Sequence, residues 1–307
     1  MKKVISVLLS ATLVLGLAAC GGSSSATTAA DTAAATTAAA TTTAEAAADT
    51  TEAEKAETTT GAAEAKTQGS AEITDAGVKT SGVLVMSTNA EFPPYEFHDS
   101  SSSVGVEDFA GIDVEVAKAI AEKMGCELKI EDIAFDSIIP QISSGMADMG
   151  MAGMTVTEDR KQNVDFSETY ATSRQVIVVK EGSEITGIES LAGKKIGVQL
   201  GTTGDILASD DASIGDGIER YNKAMEAIQA LSQDMLDAVI VDLEPAKVFV
   251  KEVSGLKILD EAYTDEEYAI CVKKGNTELL DNINAALAAI KADGTLDKIV
   301  DKYINAN

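Results

Sequence analysis

The 307-residue chain is 45% hydrophobic and carries 24 Lys and Arg against 50 Asp and Glu, a formal charge of −26. That length holds one large domain or two smaller ones, and that charge excludes nucleic acid as a partner, because phosphate binding needs clustered cations to displace counterions. Beyond the first twenty residues no apolar run approaches the roughly 20 residues of a spanning helix, so the body is expected to be soluble.

The chain opens MKKVISVLLSATLVLGLAAC, in which Lys2 and Lys3 precede an apolar stretch and then small residues. This is the pattern of an export signal. Its end, Leu17-Ala18-Ala19-Cys20, resembles a bacterial lipobox, which implies acylation of Cys20 on sulfur and its position as first mature residue. Residues 1–20 therefore read as a lipoprotein signal peptide; a plain cleaved signal with an incidental cysteine is the alternative. Residues 21–72 are Ala, Thr, Ser, Gly and scattered acids without one aromatic, a composition that cannot build a core. They read as a disordered linker with a relaxed span of roughly 40 Å, lifting the body off the extracytoplasmic face of the cell membrane.

The body alternates strand and helix patterns. Val83 to Thr88 is a continuous apolar strand, and Ile112, Val116, Ile120 and Met124 recur every four residues as one helix face closed by Gly125. A strand follows at 128–133; Asp136 is expected to cap the next helix, whose first turn tolerates Pro140 and which Gly145 ends. Strands are expected at 148–152, 175–179, 195–199 and 238–241, with a helix at 224–231, a leftover strand at 267–272 and a final helix at 277–291. Such alternation predicts an α/β fold of two lobes, each a mostly parallel sheet covered by helices, with the last segment returning to the first lobe. Cys126 and Cys271 have no neighbouring thiol and no metal-ligand spacing, and read as buried thiols, with a disulfide between them as the alternative in an exported chain. No metal and no cofactor is expected.

In open parallel sheets ligands collect beyond the carboxyl ends of strands. Those ends hold Asn89 and Phe92, then Phe135, then Gly153 and Thr155 running into Arg160; in the second half they hold Gly201-Thr202-Thr203-Gly204 and Asp242. The set is complementary to a zwitterion. Helix N-termini with Thr and Gly attract an anion, an Arg fork adds bidentate geometry for a carboxylate, and an opposed Asp holds an ammonium. Phe92 and Phe135 offer aromatic faces. Singly, each residue has another reading: Arg160 pairs with a neighbouring acid, Thr155 and Glu158 form a capping box, Asp242 caps the helix of Glu244, and the two Phe are core.

Together they occur in an order and spacing that resembles a known family. Phe92-Pro93-Pro94-Tyr95-Glu96-Phe97, Gly111-Ile112-Asp113-Val114, Gly153-Met154-Thr155-Val156-Thr157-Glu158-Asp159-Arg160, Val164-Asp165-Phe166-Ser167, Gly197-Val198-Gln199-Leu200-Gly201-Thr202-Thr203 and Asp293-Gly294-Thr295-Leu296 closely resemble the polar amino acid-binding proteins of ABC importers, over residues 82–303. The resemblance implies a type II periplasmic-binding-protein-like fold that closes on its ligand, with lobe 1 at 73–170 and 264–307, lobe 2 at 171–263, and hinges near 170–173 and 259–263. It implies an amino acid ligand, permease and ATPase partners, a lipid-anchored monomer and no enzymatic activity.

By the same resemblance Arg160 clamps the α-carboxylate with backbone near Thr155, Thr202 and Thr203, while Asp242 and the Gly153 carbonyl take the α-ammonium. Phe92 and Phe135 sandwich the ligand. Selectivity falls on Asn89, Gln199 and Val241, and Asn89 stands where members for basic ligands often carry aspartate, so an uncharged polar ligand is expected. Two other classes fit the fold. An exported enzyme such as a cyclohexadienyl dehydratase would need a general acid, and the lone histidine, His98, falls in an apparent Ser-rich hairpin. A sensor module would need a spanning helix or signalling domain after Asn307, and none is expected.

Overall fold

The computed structural model describes residues 72–305. The export signal, Cys20 and the linker up to residue 71 lie outside them. Two five-stranded sheets organise the chain. The first runs, from edge to edge, Glu127–Asp132, Val83–Thr88, Met149–Gly150, Cys271–Lys273 and Val164–Phe166; the second runs Ile218–Tyr221, Ile196–Gln199, Ala238–Asp242, Ala171–Lys180 and Leu256–Tyr268. A small three-stranded sheet, Glu91–Phe92, Glu96–His98 and Phe109–Ala110, sits beside the first.

Three strands of each sheet are parallel, joined by helical crossovers. The remaining pairings are antiparallel: Cys271–Lys273 runs against both of its neighbours, and Ala171–Lys180 runs against both Ala238–Asp242 and Leu256–Tyr268. The sheets are therefore mixed. A strand followed by a helix must return parallel, whereas a chain that crosses directly into the other sheet carries no such constraint.

The helix of Ile112–Met124 shows why the pattern was legible. Ile112, Val116, Ile120 and Met124 are all buried, and Gly125 turns left-handed at φ 71° so that its N–H can close the last turn. The next helix, Phe135–Ser144, departs from expectation. Its N-cap is Ala134 without a side-chain hydrogen bond, so Asp136 lies inside the first turn instead of capping, and Pro140 lies two residues further in than expected, past the first turn. The strand at Cys271–Lys273 is likewise shorter than the run expected at 267–272, because the chain first completes the long strand ending at Tyr268.

The chain passes between sheets twice, side by side. Tyr170 N–H donates to Tyr268 O at 2.9 Å, Ser167 N–H to Ile270 O at 2.9 Å, and Thr155 bridges to Tyr268. The second crossing thus lies at 266–270, opposite Ala171 to Ser173, not at 259–263; those residues sit within the long strand, where its register to Ala171–Lys180 shifts. One apolar cluster runs through this region from Leu84 and Met86 by way of Tyr95, Tyr170 and Tyr268 to Val176 and Phe249. Ile177 and Val179 point to the opposite face, into a second cluster with Leu191 and Val198, so that this strand is buried on both sides. Cys126 and Cys271 are buried free thiols, which removes the disulfide alternative.

Candidate functional site

Where the carboxyl ends of the two sheets face each other, a narrow cleft is lined by Asn89, Phe92, Phe135, Gly153, Thr155, Arg160, Gln199, Thr202, Thr203 and Asp242, together with Glu96 and Ala152. Ten of the residues selected from the sequence meet here.

Arg160 belongs to the short helix Glu158–Lys161, which Thr157 caps by accepting from Arg160 N–H at 3.2 Å. Thr155 is therefore not the cap, and its hydroxyl is free to donate to Glu266 at 3.0 Å. The Arg160 side chain folds back: Nη1 donates to Thr155 O at 2.7 Å, and Nη2 donates across the cleft to Gly201 O at 3.1 Å. No ion pair among the described residues includes it. Its guanidinium lies over the Phe135 ring, 5.4 Å from the centroid, a cation–π contact in a buried setting. Burial pulls the guanidinium pKa down, yet an arginine stays charged.

Opposite, Thr202 caps the helix of Thr203–Asp210, accepting from Asp205 N–H, and so aims the helix N-terminus at the cleft. Gly201, at φ +78°, brings this turn against Asp136; an added Cβ would stand 3.1 Å from that residue's own Cβ. Gly153 holds the facing turn at φ +52°, where a Cβ would meet the Phe92 and Tyr268 rings at 3.3 Å.

Asp242 ends its strand and stands at the N-cap of Leu243–Glu252, but its side chain does not cap that helix. It accepts instead from Gln175 Nε2 at 2.6 Å and from the Tyr268 hydroxyl. Gln175 Nε2 also faces Thr203 Oγ1 at 3.2 Å and Glu266 Oε2 at 3.0 Å, so one amide is shared by two buried carboxyl groups. Burial first, and the neighbouring Glu266 second, push the Asp242 carboxyl up to about 7. Asn89 joins the lobes at another edge: its Oδ1 accepts from Gln199 Nε2 at 2.9 Å while its own amide donates to Ile133 O. Val241 lies in the apolar core and is not among the cleft residues.

Sequence reasoning missed Gln175 and Glu266. Gln175 is the last polar residue before an apolar run, and Glu266 shares the inward face of its strand with Tyr268, two residues on. His98 lies elsewhere, between Asp108 at 2.9 Å and Asp132 at 3.1 Å on the small sheet.

Residues 84–306 match the sequence profile of the bacterial extracellular solute-binding proteins, family 3. The arginine-binding extracellular protein ArtP of Bacillus subtilis (strain 168) is 32% identical over 72% of this chain and 85% of that protein. The ABC transporter glutamine-binding protein GlnH of the same organism is 32% identical over 76% of this chain and 86% of that protein. Among solved structures, an ancestral arginine-binding protein bound to glutamine superposes with a TM-score of 0.68 at 42% identity, covering 73% of this chain and 99% of that one.

Proposed function

Because the chain belongs to family 3 of the bacterial extracellular solute-binding proteins, we propose that its cleft holds an amino acid head group between Arg160 and Asp242. Its fold is the two-lobe type II periplasmic-binding-protein fold. It is the substrate-binding component of an ABC importer, capturing an amino acid between two lobes and delivering it to the permease.

One observation carries the reading of the site: a single cleft sets a buried guanidinium with unused donors against a buried carboxyl group. Arginine has five N–H donors, and two are spent on carbonyls, which leaves the others for a ligand carboxylate. The Thr203 helix N-terminus adds attraction for the same anion. Asp242 and the Gly153 carbonyl take the ammonium, and Phe92 and Phe135 flank the stem. Asn89 and Gln199, two amides, offer donors and acceptors to an uncharged polar side chain, in the class of glutamine.

A thermal-shift panel of the common amino acids tests this. A ligand at 100 times its dissociation constant adds about 2.7 kcal/mol, and L-glutamine should shift unfolding further than L-arginine. The reverse order would overturn the uncharged side-chain assignment while leaving the importer role standing. We further propose that the protein is anchored to the outer face of the membrane through acylated Cys20, a reading supported by the MKK…LAAC pattern alone. Cys20→Ser should move the protein to the aqueous phase on detergent partitioning; unchanged partitioning would count against the anchor.

A further inference from the structure

The cleft residue Glu96 has no place in the clamp just described. It is 1% exposed, and the charges that act on it most strongly, Asp113, Asp242 and Asp132, are all acidic. Asp113, fully buried in the first turn of Ile112–Met124, accepts through Oδ2 from Gly153 N–H at 2.9 Å and from the Tyr170 hydroxyl at 2.8 Å. Its other oxygen, Oδ1, and Glu96 Oε2 are both buried without a donor among the described residues. The two residues are neighbours, since Asp113 N–H donates to Tyr95 O at 2.9 Å, and each carboxyl group acts directly on the other.

Two carboxylates cannot satisfy one another, since each only accepts. One proton turns one of them into a donor and gives the facing orphan oxygens a partner. Removing that proton would leave two like charges in contact in a buried site, flanked by Tyr95, Tyr170 and the carboxyl of Asp242, with no cation among these neighbours. Burial accordingly raises Glu96 well above the usual carboxyl range and raises Asp113 to about 6.

We propose that Glu96 and Asp113 share one proton, and that the protonated pair is a positioning element of the binding site. It pins the Gly153 turn, which lines the cleft, and Tyr170, at which the chain crosses between the sheets. The positioning role rests on the amino acid-binding reading of the cleft; the shared proton does not, so the tests use no ligand.

Amide substitutions replace the proton by a permanent donor of similar shape. Asp113→Asn can still accept from Gly153 and Tyr170 while donating to Glu96, and Glu96→Gln can donate to an ionised Asp113. The purified protein should show the infrared band of a protonated carboxyl at pH 7, weakened in both variants. In the wild type the folded state keeps a proton that the unfolded chain releases near pH 4, so this pair's stability is lost as pH rises from about 4 through the folded value of Glu96, which lies well above the usual carboxyl range. Both variants should flatten that fall. Exchange of the Gly153 amide, followed by nuclear magnetic resonance, should be at least tenfold faster in Asp113→Ala and close to wild type in Asp113→Asn. An unchanged band and pH slope in both amide variants would overturn the shared proton. Unchanged Gly153 exchange in the alanine variant would overturn the positioning role.

Discussion

At one end of the cleft Arg160 carries a buried positive charge held only by backbone carbonyls; at the other, Asp242 and Glu266 crowd two carboxyl groups around the single amide of Gln175. The ends differ in how they bear being empty. A guanidinium cannot shed its proton near neutral pH, so the Arg160 end keeps its charge and relies on carbonyl dipoles and the Phe135 face. A carboxyl group can take up a proton, and burial beside Glu266 drives Asp242 to do so up to about pH 7. The positive end is fixed in charge, the negative end adjustable. Only a ligand with both an anion and a cation relieves both at once.

The largest effect should come from breaking the fixed end. Truncating one member of a buried charge pair typically costs about 3–5 kcal/mol. The Thr203 helix N-terminus survives in Arg160→Ala, which argues for the lower part of that range, roughly a hundredfold in affinity. Arg160→Lys keeps the charge but loses the fork, and should recover only part. Calorimetric titration with the tightest-binding amino acid measures both. Wild-type affinity in the alanine variant would reduce Arg160 to a structural tie between Thr155 and Gly201.

The adjustable end should show itself in pH dependence. An ammonium binds the ionised Asp242, so affinity should climb as pH rises from about 5 to about 8, with proton release measurable in buffers of different ionisation enthalpy. The ligand-free protein should do the opposite. With the folded pKa raised to about 7, Asp242 contributes stability below the unfolded value near 4, and that contribution is lost as pH rises through 7. Asp242→Asn should lose about 2 kcal/mol of binding, the worth of a hydrogen bond to a charged group, and should flatten both curves. A variant that keeps the wild-type pH slope of binding would place the titrating group elsewhere.

How these ends could be read from sequence differs in the same way. Thr202, Thr203 and Asp242 sit where a short apolar strand stops, and Arg160 follows the turn after Met149–Gly150; strand ends are visible as apolar runs meeting turn residues. Glu266 was hidden because its strand, Leu256–Tyr268, is the edge of the second sheet and exposes much of its length, so its acids look like a solvated loop. Only the alternation of Glu266 and Tyr268 inward against Asp265 and Glu267 outward marked it. Strand direction was illegible for a related reason: the antiparallel course of Ala171–Lys180 depends on which sheet the chain enters, a non-local choice with no period of its own. The helix of Phe135–Ser144 was placed correctly but started early, since Phe135 enters the first turn to face Arg160, and Asp136 falls within that turn on its exposed side.

The smallest effect should come from outside the cleft, where Lys223 from one lobe pairs with Glu91 from the other. Their side chains are 43% and 34% exposed, and pairs of this kind are worth about 0.2–1 kcal/mol. Lys223→Ala should therefore speed ligand dissociation no more than about fivefold at low salt, with the difference shrinking in high salt, where the Debye length falls to about 3 Å. Stopped-flow dissociation at two salt concentrations reads this directly. The comparison with Arg160 is what gives the number meaning. The rim pair joins the lobes as surely as Arg160 does through Gly201, but it is wet, and it touches no part of the proposed ligand. If both substitutions cost the same, holding the lobes together would account for affinity and the contrast between fixed and adjustable charge would be incidental. A cost at Arg160 at least tenfold greater would locate the binding energy in the buried charges themselves.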